Sequence, residues 1–195
     1  MKKMVLVIAL VSLALVGNAS AQYNNNIGVF LDEAATNNCI TLNPFVQTYC
    51  YLALTNLTAS EVGGWEGKLT FTNLEITQFN HSGQAINAAS RPDEYVVGYA
   101  SPLPVAGGVC VVAQLRILVD NTSPAAFYIN ETFASLFENG LPAYIDGSGA
   151  GYPLYPVSAD GNAGTINDPI MVVNGTCLAV AAETSSFGSL KSLFR

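Results

Sequence analysis

Cys39, Cys50, Cys110 and Cys177 carry the most reactive side chains of this chain, and their setting decides what they can do. None stands at C-x-x-C spacing, and the chain has a single histidine, so neither a dithiol redox pair nor a Cys/His zinc site finds its pattern. In an oxidising compartment the default for such cysteines is to pair. Four cysteines allow three connectivities. The expected one joins Cys39 with Cys177, tying the loop after the first strand to the last strand, and Cys50 with Cys110, joining two mid-strand positions. That expectation rests on topology and not on a spacing rule.

The acid, base and nucleophile inventory is thin. His81 lies in a polar stretch beside Asn80 and Ser82, without a Gly-x-Ser-x-Gly elbow elsewhere to supply a nucleophile. No pair of carboxylates stands in a setting that suggests glycoside hydrolysis. No catalytic residue is therefore assigned, and no cofactor is implied. Asp146, Asp160 and Asp168 fall in Gly- and Asn-rich loops where carboxylate and carbonyl oxygens could converge on calcium, although the spacing matches no EF-hand. The competing role is turn formation, in which an Asp side chain bonds its own backbone two residues on. Tyr144, Tyr152 and Tyr155 offer flat faces for stacking on sugar rings, which makes them the candidate carbohydrate contacts. Trp65 opens an amphipathic run in phase with Leu69 and Phe71, so burial is expected for it. After residue 21, the Asn-x-Ser/Thr triplets at Asn56, Asn80, Asn121, Asn130 and Asn174 are read as turns.

Any such groups must be positioned by what the chain can fold into. Lys2 and Lys3, an apolar run from Met4 to Gly17 and the small residues Ala19 and Ala21 form a secretory signal over residues 1–21. The apolar run falls short of the roughly 20 residues that span a bilayer. Removing 21 of the 195 residues leaves 174, the size of one domain, expected over residues 22–182 with a tail at 183–195. Two of the seven Lys and Arg leave with the signal, so five cations face 14 acidic residues, a balance of −9. Such a surface repels phosphate backbones and anionic lipid, which argues against nucleic-acid and peripheral membrane partners. No later segment is apolar and long enough to enter a membrane as a helix.

Short β-branched and aromatic runs, punctuated by Gly, Pro, Asn and Asp, recur without a long helical period. This rhythm predicts an all-β fold, a two-sheet antiparallel β-sandwich. Strands are expected at 27–32, 45–55, 65–71, 74–79, 94–100, 109–119, 126–130, 141–146, 152–157, 170–173 and 177–181. Val46, Thr48, Cys50, Leu52 and Leu54 should share one face, as should Val109, Val111, Ala113, Leu115, Ile117 and Val119, with Gln114 and Arg116 opposite. Trp65, Gly67, Leu69 and Phe71 should be buried and Glu66, Lys68 and Thr70 wet. Residues 131–140 have room for at most a turn or two of helix, closed by Gly140 in the left-handed region. Gly147 to Gly151 reads as a flexible hairpin connection. In the tail, Phe187, Leu190 and Phe194 fall on one face at helical spacing, which suits a sorting or docking tag.

Ile27-Gly28-Val29-Phe30-Leu31-Asp32, Asn38-Cys39, Gly63-Gly64-Trp65-Glu66, Val97-Gly98-Tyr99 with Pro102-Leu103-Pro104, and Asn174-Gly175-Thr176-Cys177 together resemble secreted β-sandwich proteins of environmental bacteria. The closing Phe187-Gly188-Ser189-Leu190-Lys191-Ser192-Leu193-Phe194-Arg195 resembles tails on such proteins. The strand pattern is similar to the cohesin-like and immunoglobulin-like sandwich group. That resemblance implies a protein-protein module that docks partners through one sheet face, and it brings no active site with it. The resulting expectation is a secreted, non-catalytic interaction or structural module, extracellular, at the cell surface or periplasmic. Its partner would be a protein or a glycan, or a second copy that exchanges a strand or tail. A carbohydrate-binding module and a secreted hydrolase are the alternatives.

Overall fold

Alternating apolar side chains have only one way to leave water together, which is for two sheets to close over them. The computed structural model describes residues 23–137, 139–159 and 164–177. One sheet runs in the order β12 (Tyr155–Pro156), β1 (Asn26–Phe30), β3 (Thr48–Thr55), β8 (Cys110–Leu118) and β5 (Glu75–His81). The other follows β11 (Gly151–Pro153), β10 (Ala143–Asp146), β4 (Glu61–Thr72), β9 (Ala125–Asn130), β13 (Met171–Val173) and β2 (Cys39–Ile40). On the opposite edge of β4 lies β7 (Glu94–Pro104), which in turn pairs with β6 (Ala85–Asn87). Both sheets are mixed and not purely antiparallel, because β12 joins β1 in parallel and β2 joins β13 in parallel. The signal segment and the tail lie outside the described residues.

Ile27 and Val29, Leu52 and Leu54, and Leu115 and Ile117 form the inner face of the first sheet. They meet Trp65, Leu69, Phe127, Ile129 and Met171 from the second. Trp65 is buried, as its phase predicts. The expected faces fail where a strand carries an extra residue. On β8, Leu52 pairs with Ala113 and Ala53 with Val111, leaving Val112 as a bulge. A bulge reverses the side-chain phase. Ala113, Leu115, Ile117 and Val119 therefore point inward as expected, whereas Val109 and Val111 turn to the outer face against Phe30, Ala53 and Val157. On β3 the inward row begins only at Cys50, because Phe45 takes a left-handed φ of 61° and Val46 is exposed. Phe71 is also partly exposed, while Glu66, expected to be wet, is buried.

Residues 131–137 and 139–140 form turns and bends with no helical turn. Gly140 does take the left-handed φ, 80°, and its N–H donates to Glu131. The Gly147–Gly151 connection is tied down: Asp146 Oδ1 accepts from the Ser148 N–H, the Ser148 hydroxyl and the Ala150 N–H at 2.7–2.9 Å. Cys177 follows the last described strand without joining it, and residues 178–181 lie outside the described residues.

Cys39 and Cys177 are bonded across a sequence separation of 138 residues. In the chain-entropy account, closing a loop of that length is worth about 5 kcal/mol. The other expected bond is absent: Cys50 and Cys110 are buried free thiols. Strand register explains why. Cys50 sits opposite Leu115 while Cys110 sits opposite Leu54, so the two are displaced by four residues, about 13 Å along the strands. A disulfide needs Cα atoms within about 7 Å. Burial pushes the Cys50 thiol up to about 12 and the Cys110 thiol up to about 11, so neither supplies thiolate at neutral pH. A thiol reagent is expected to find no reactive group in the native mature protein and two after unfolding without reductant; rapid native labelling at either position would contradict this placement.

Candidate functional site

The outer face of the first sheet follows from the same alternation that builds the core. Between the inward residues of β3, β8 and β5 the register lines up two outward rows, Tyr49–Arg116–Gln78 and Tyr51–Gln114–Asn80. Cross-strand neighbours in such rows touch and restrain one another. Gln114 Nε2 donates to the Tyr51 hydroxyl at 3.4 Å, and Gln78 Nε2 donates to Asn80 Oδ1 at 3.2 Å. Arg116 Nε donates at 3.2 Å to Thr77 Oγ1, and Thr77 is the bulged residue between Ile76 and Gln78. The Thr77 hydroxyl in turn donates to the Arg116 carbonyl at 3.1 Å, so the bulge fixes the guanidinium's base. Neither ion pair among the described residues involves Arg116, whose charge is left for an outside acceptor.

At the edge of these rows, the Phe45 N–H donates to the Val119 carbonyl at 2.8 Å while the residue holds its left-handed φ. A bulky side chain in that region is strained by its own Cβ. The strain buries nothing, since Phe45 is 73% exposed and nearby Tyr49 is 50% exposed. The opposite end of the face is closed: the Phe30 ring lies where a Cβ on Gly28 would come within 2.8 Å of it.

The residues singled out from sequence do not assemble into one site. Tyr144, a candidate carbohydrate contact, is 1% exposed, because strand β10 turns it into the core, where its hydroxyl donates to Asn25 Oδ1 at 3.1 Å. The half-buried Tyr152 stacks on it at 5.1 Å, and its hydroxyl donates to Asp146 Oδ2. Tyr155 belongs to the other sheet and stacks on Tyr23 at 4.3 Å. Asp146 is the anchor of its own turn; the Ser148 hydroxyl, with the backbone N–H groups of Ala150 and Ser148, holds its carboxyl below the usual range. Asp168 Oδ2 accepts from the Thr165 N–H and hydroxyl, and Asp160 lies outside the described residues. His81 is at the end of strand β5 and not in a loop, with its ring 5.0 Å from Phe79 and 6.0 Å from Tyr95 and its Nδ1 without a partner.

Sequence reasoning passed over Tyr49 and Tyr51, although both alternate with Cys50 and Leu52 and so must face away from the core. It also missed two buried carboxylates on the outer face of the second sheet. Glu66 accepts from the Leu136 N–H at 2.6 Å and the Ser135 hydroxyl at 3.0 Å. Glu94 accepts from the Phe133 N–H at 3.2 Å and pairs with Arg91, whose guanidinium lies 4.2 Å over the Phe133 ring.

With this geometry in place, the chain can be set beside known proteins. No protein-family model and no curated protein matches it. Among solved structures, the sixth cohesin of scaffoldin B from Acetivibrio cellulolyticus, in complex with a dockerin, superposes with a TM-score of 0.50 at 12% identity. That match covers 79% of this chain and 100% of the cohesin. The fold is a cohesin-like β-sandwich. A type II cohesin from the cellulosome of the same organism gives 0.48 at 13% identity over 78% of this chain and 96% of its own. A cohesin from Clostridium acetobutylicum gives 0.46 at 11% over 84% and 99%. The first of these establishes architecture only.

Two outcomes follow for the cohesin-like frame. Glu66→Ala strands the Leu136 N–H, and urea unfolding is expected to show a loss of about 1–3 kcal/mol. Burial pushes His81 below its ordinary value of 6.5, so the unfolded chain takes up a proton at a pH where the folded one does not. Its contribution to stability is complete above pH 6.5 and falls as pH drops from there toward the folded-state pKa. His81→Gln is expected to flatten the dependence of the urea midpoint on pH below 6.5; an unchanged slope would show that His81 is not its source.

Proposed function

We propose that this chain is a secreted, non-catalytic interaction module that docks a protein partner on the outer face of the five-stranded sheet. The observation that carries the reading is Phe45, a bulky residue kept in a strained backbone conformation with its ring in solvent. It stands at the end of the sheet whose outer face carries Tyr49 and Arg116, the latter without an ion pair among the described residues. Strain that contributes nothing to the core is a mark of a functional position. Exposed aromatic and Arg side chains on rigid strands are the residue types that dominate protein interfaces. The Cys39–Cys177 bond and the signal-like leader support an oxidising, extracellular setting. The likeness to a cohesin solved in complex with a dockerin supports a protein as the partner.

A glycan-binding role has less behind it. Tyr144 is in the core, and Tyr152 and Tyr155 stand on different sheets with their rings stacked on other tyrosines. A hydrolase role lacks a base with a partner, given the surroundings of His81.

Phe45→Gly separates interaction from folding, because glycine adopts the left-handed φ without strain. Mature wild type and a Phe45→Gly/Tyr49→Ala/Arg116→Ala variant would be immobilised and offered the secreted proteins of the source cells. The captured partner would then be purified and titrated against both. The expected result is a Kd weakened about 100-fold or more by the variant with no loss of thermal stability. Equal affinity for the two proteins would move the interface off this face.

A further inference from the structure

The second sheet carries an apolar trench on its outer face. Register aligns Ile86, Gly98, Gly64, Ile145 and Gly151 side by side across β6, β7, β4, β10 and β11. The three glycines leave the floor without side chains, and a Cβ added at Gly98 would meet nothing within 4 Å. Ile86, 73% exposed, stands at one end, and Leu136, 53% exposed, leans over Gly151 at the other. Glu66 and Glu94 hold the 131–137 segment that presents Leu136, so this wall is fixed in place. Glu61 borders the trench beyond Gly64, on the side of the Gly147 turn. The Glu61 carboxylate lies against Gly147 and takes part in no ion pair among the described residues.

The chain itself contains a segment of matching chemistry. At helical spacing Phe187, Leu190 and Phe194 share one side, and Lys191 and Arg195 follow the last two at an interval of four. Only five Lys and Arg follow residue 21, and two of them are in this segment, while 13 of the 14 acidic residues precede residue 183. Reach permits contact. The disulfide keeps Cys177 beside Cys39, which is level with Val172. Val172 is in turn level with Ala126 and Thr72, so Cys39 lies eight residues along the strands from Gly64 and three strand spacings aside, about 30 Å in all. Residues 178–186 span about 30 Å when extended, which brings Phe187 to the trench.

We propose that the C-terminal segment Thr184–Arg195 docks in the trench of its own chain, with Phe187, Leu190 and Phe194 over the glycine floor and Lys191 and Arg195 on the side of Glu61. The tether keeps the segment in reach of the trench only when residues 178–186 are extended, so burial of the three apolar side chains must offset the cost of straightening the linker. The trench is then a site with a built-in occupant, which an outside ligand enters by displacement.

Trypsin cleavage after Lys191 reads the docked fraction directly in the full mature protein. The expected rate is about tenfold lower in wild type than in either Gly98→Leu, which fills the floor, or Phe187→Ser/Phe194→Ser, which leaves the described body untouched. Synthetic peptides of residues 184–195 with each sequence supply the intrinsic cleavage rates. Equal normalised rates in all three proteins would overturn the proposal. Protection that rises with protein concentration, together with a dimer in sedimentation, would assign the trench to the tail of a second copy and overturn docking within one chain. Tyr49→Ala, on the opposite sheet, is expected to leave the protection unchanged, which keeps this result separate from that of the partner-docking face.

Discussion

β4 pairs along one edge with β7 and along the other with two strands in tandem, β10 against Val62–Glu66 and β9 against Lys68–Thr72. A strand has two edges, so a chain that leaves β9 and returns as β10 on the same edge must step out of the sheet between them. Residues 131–137 and 139–142 lie on that excursion across the outer face, carrying backbone N–H groups over an apolar surface where each unmet donor is costly. Glu66 and Glu94 meet that demand, which explains why two carboxylates are buried on a face that alternation assigns to solvent. On its other side the same strand supplies Trp65 and Leu69 to the core. Core, excursion and trench wall are thus consequences of one strand's pairing.

The first sheet solves a different problem. Its inner face must stay in register with the core while its outer face stays open, and two bulges tune the match. Val112 on β8 sends Val109 and Val111 outward to close one end of the face with Phe30. Thr77 on β5 supplies the hydroxyl that holds Arg116. The open end is left to Tyr49, Tyr51 and the strained Phe45. A face supported from behind by a dry core loses little conformational freedom when a partner arrives, which is the condition for a docking platform to bind well with few contacts.

Much of the architecture was legible from period-two alternation. The Trp65–Leu69 run, the buried Leu52, Leu54, Leu115 and Ile117, and the left-handed Gly140 all follow from local chemistry. What escaped depends on partners distant in the chain. A single inserted residue on β8 leaves no mark on composition, yet it turns Val109 and Val111 to the other face. The same register separates Cys50 from Cys110, which topology alone had joined. Glu66 is covered by Ser135 and Leu136, some 70 residues later, and Tyr144 is turned inward by its pairing with Trp65; neither burial has a local signal. The site was the less legible part, because the outward tyrosines of β3 matter only once their neighbours across β8 and β5 are known.

A docking platform of this kind must be rigid, and amide hydrogen exchange of the mature protein under native conditions measures that rigidity strand by strand. The account predicts that β3, β8 and β4 exchange only with the free energy of global unfolding, as one cooperative unit. Exchange of β3 or β8 through local openings well below that free energy would mean that the outer face is not held by the core, and would contradict the account.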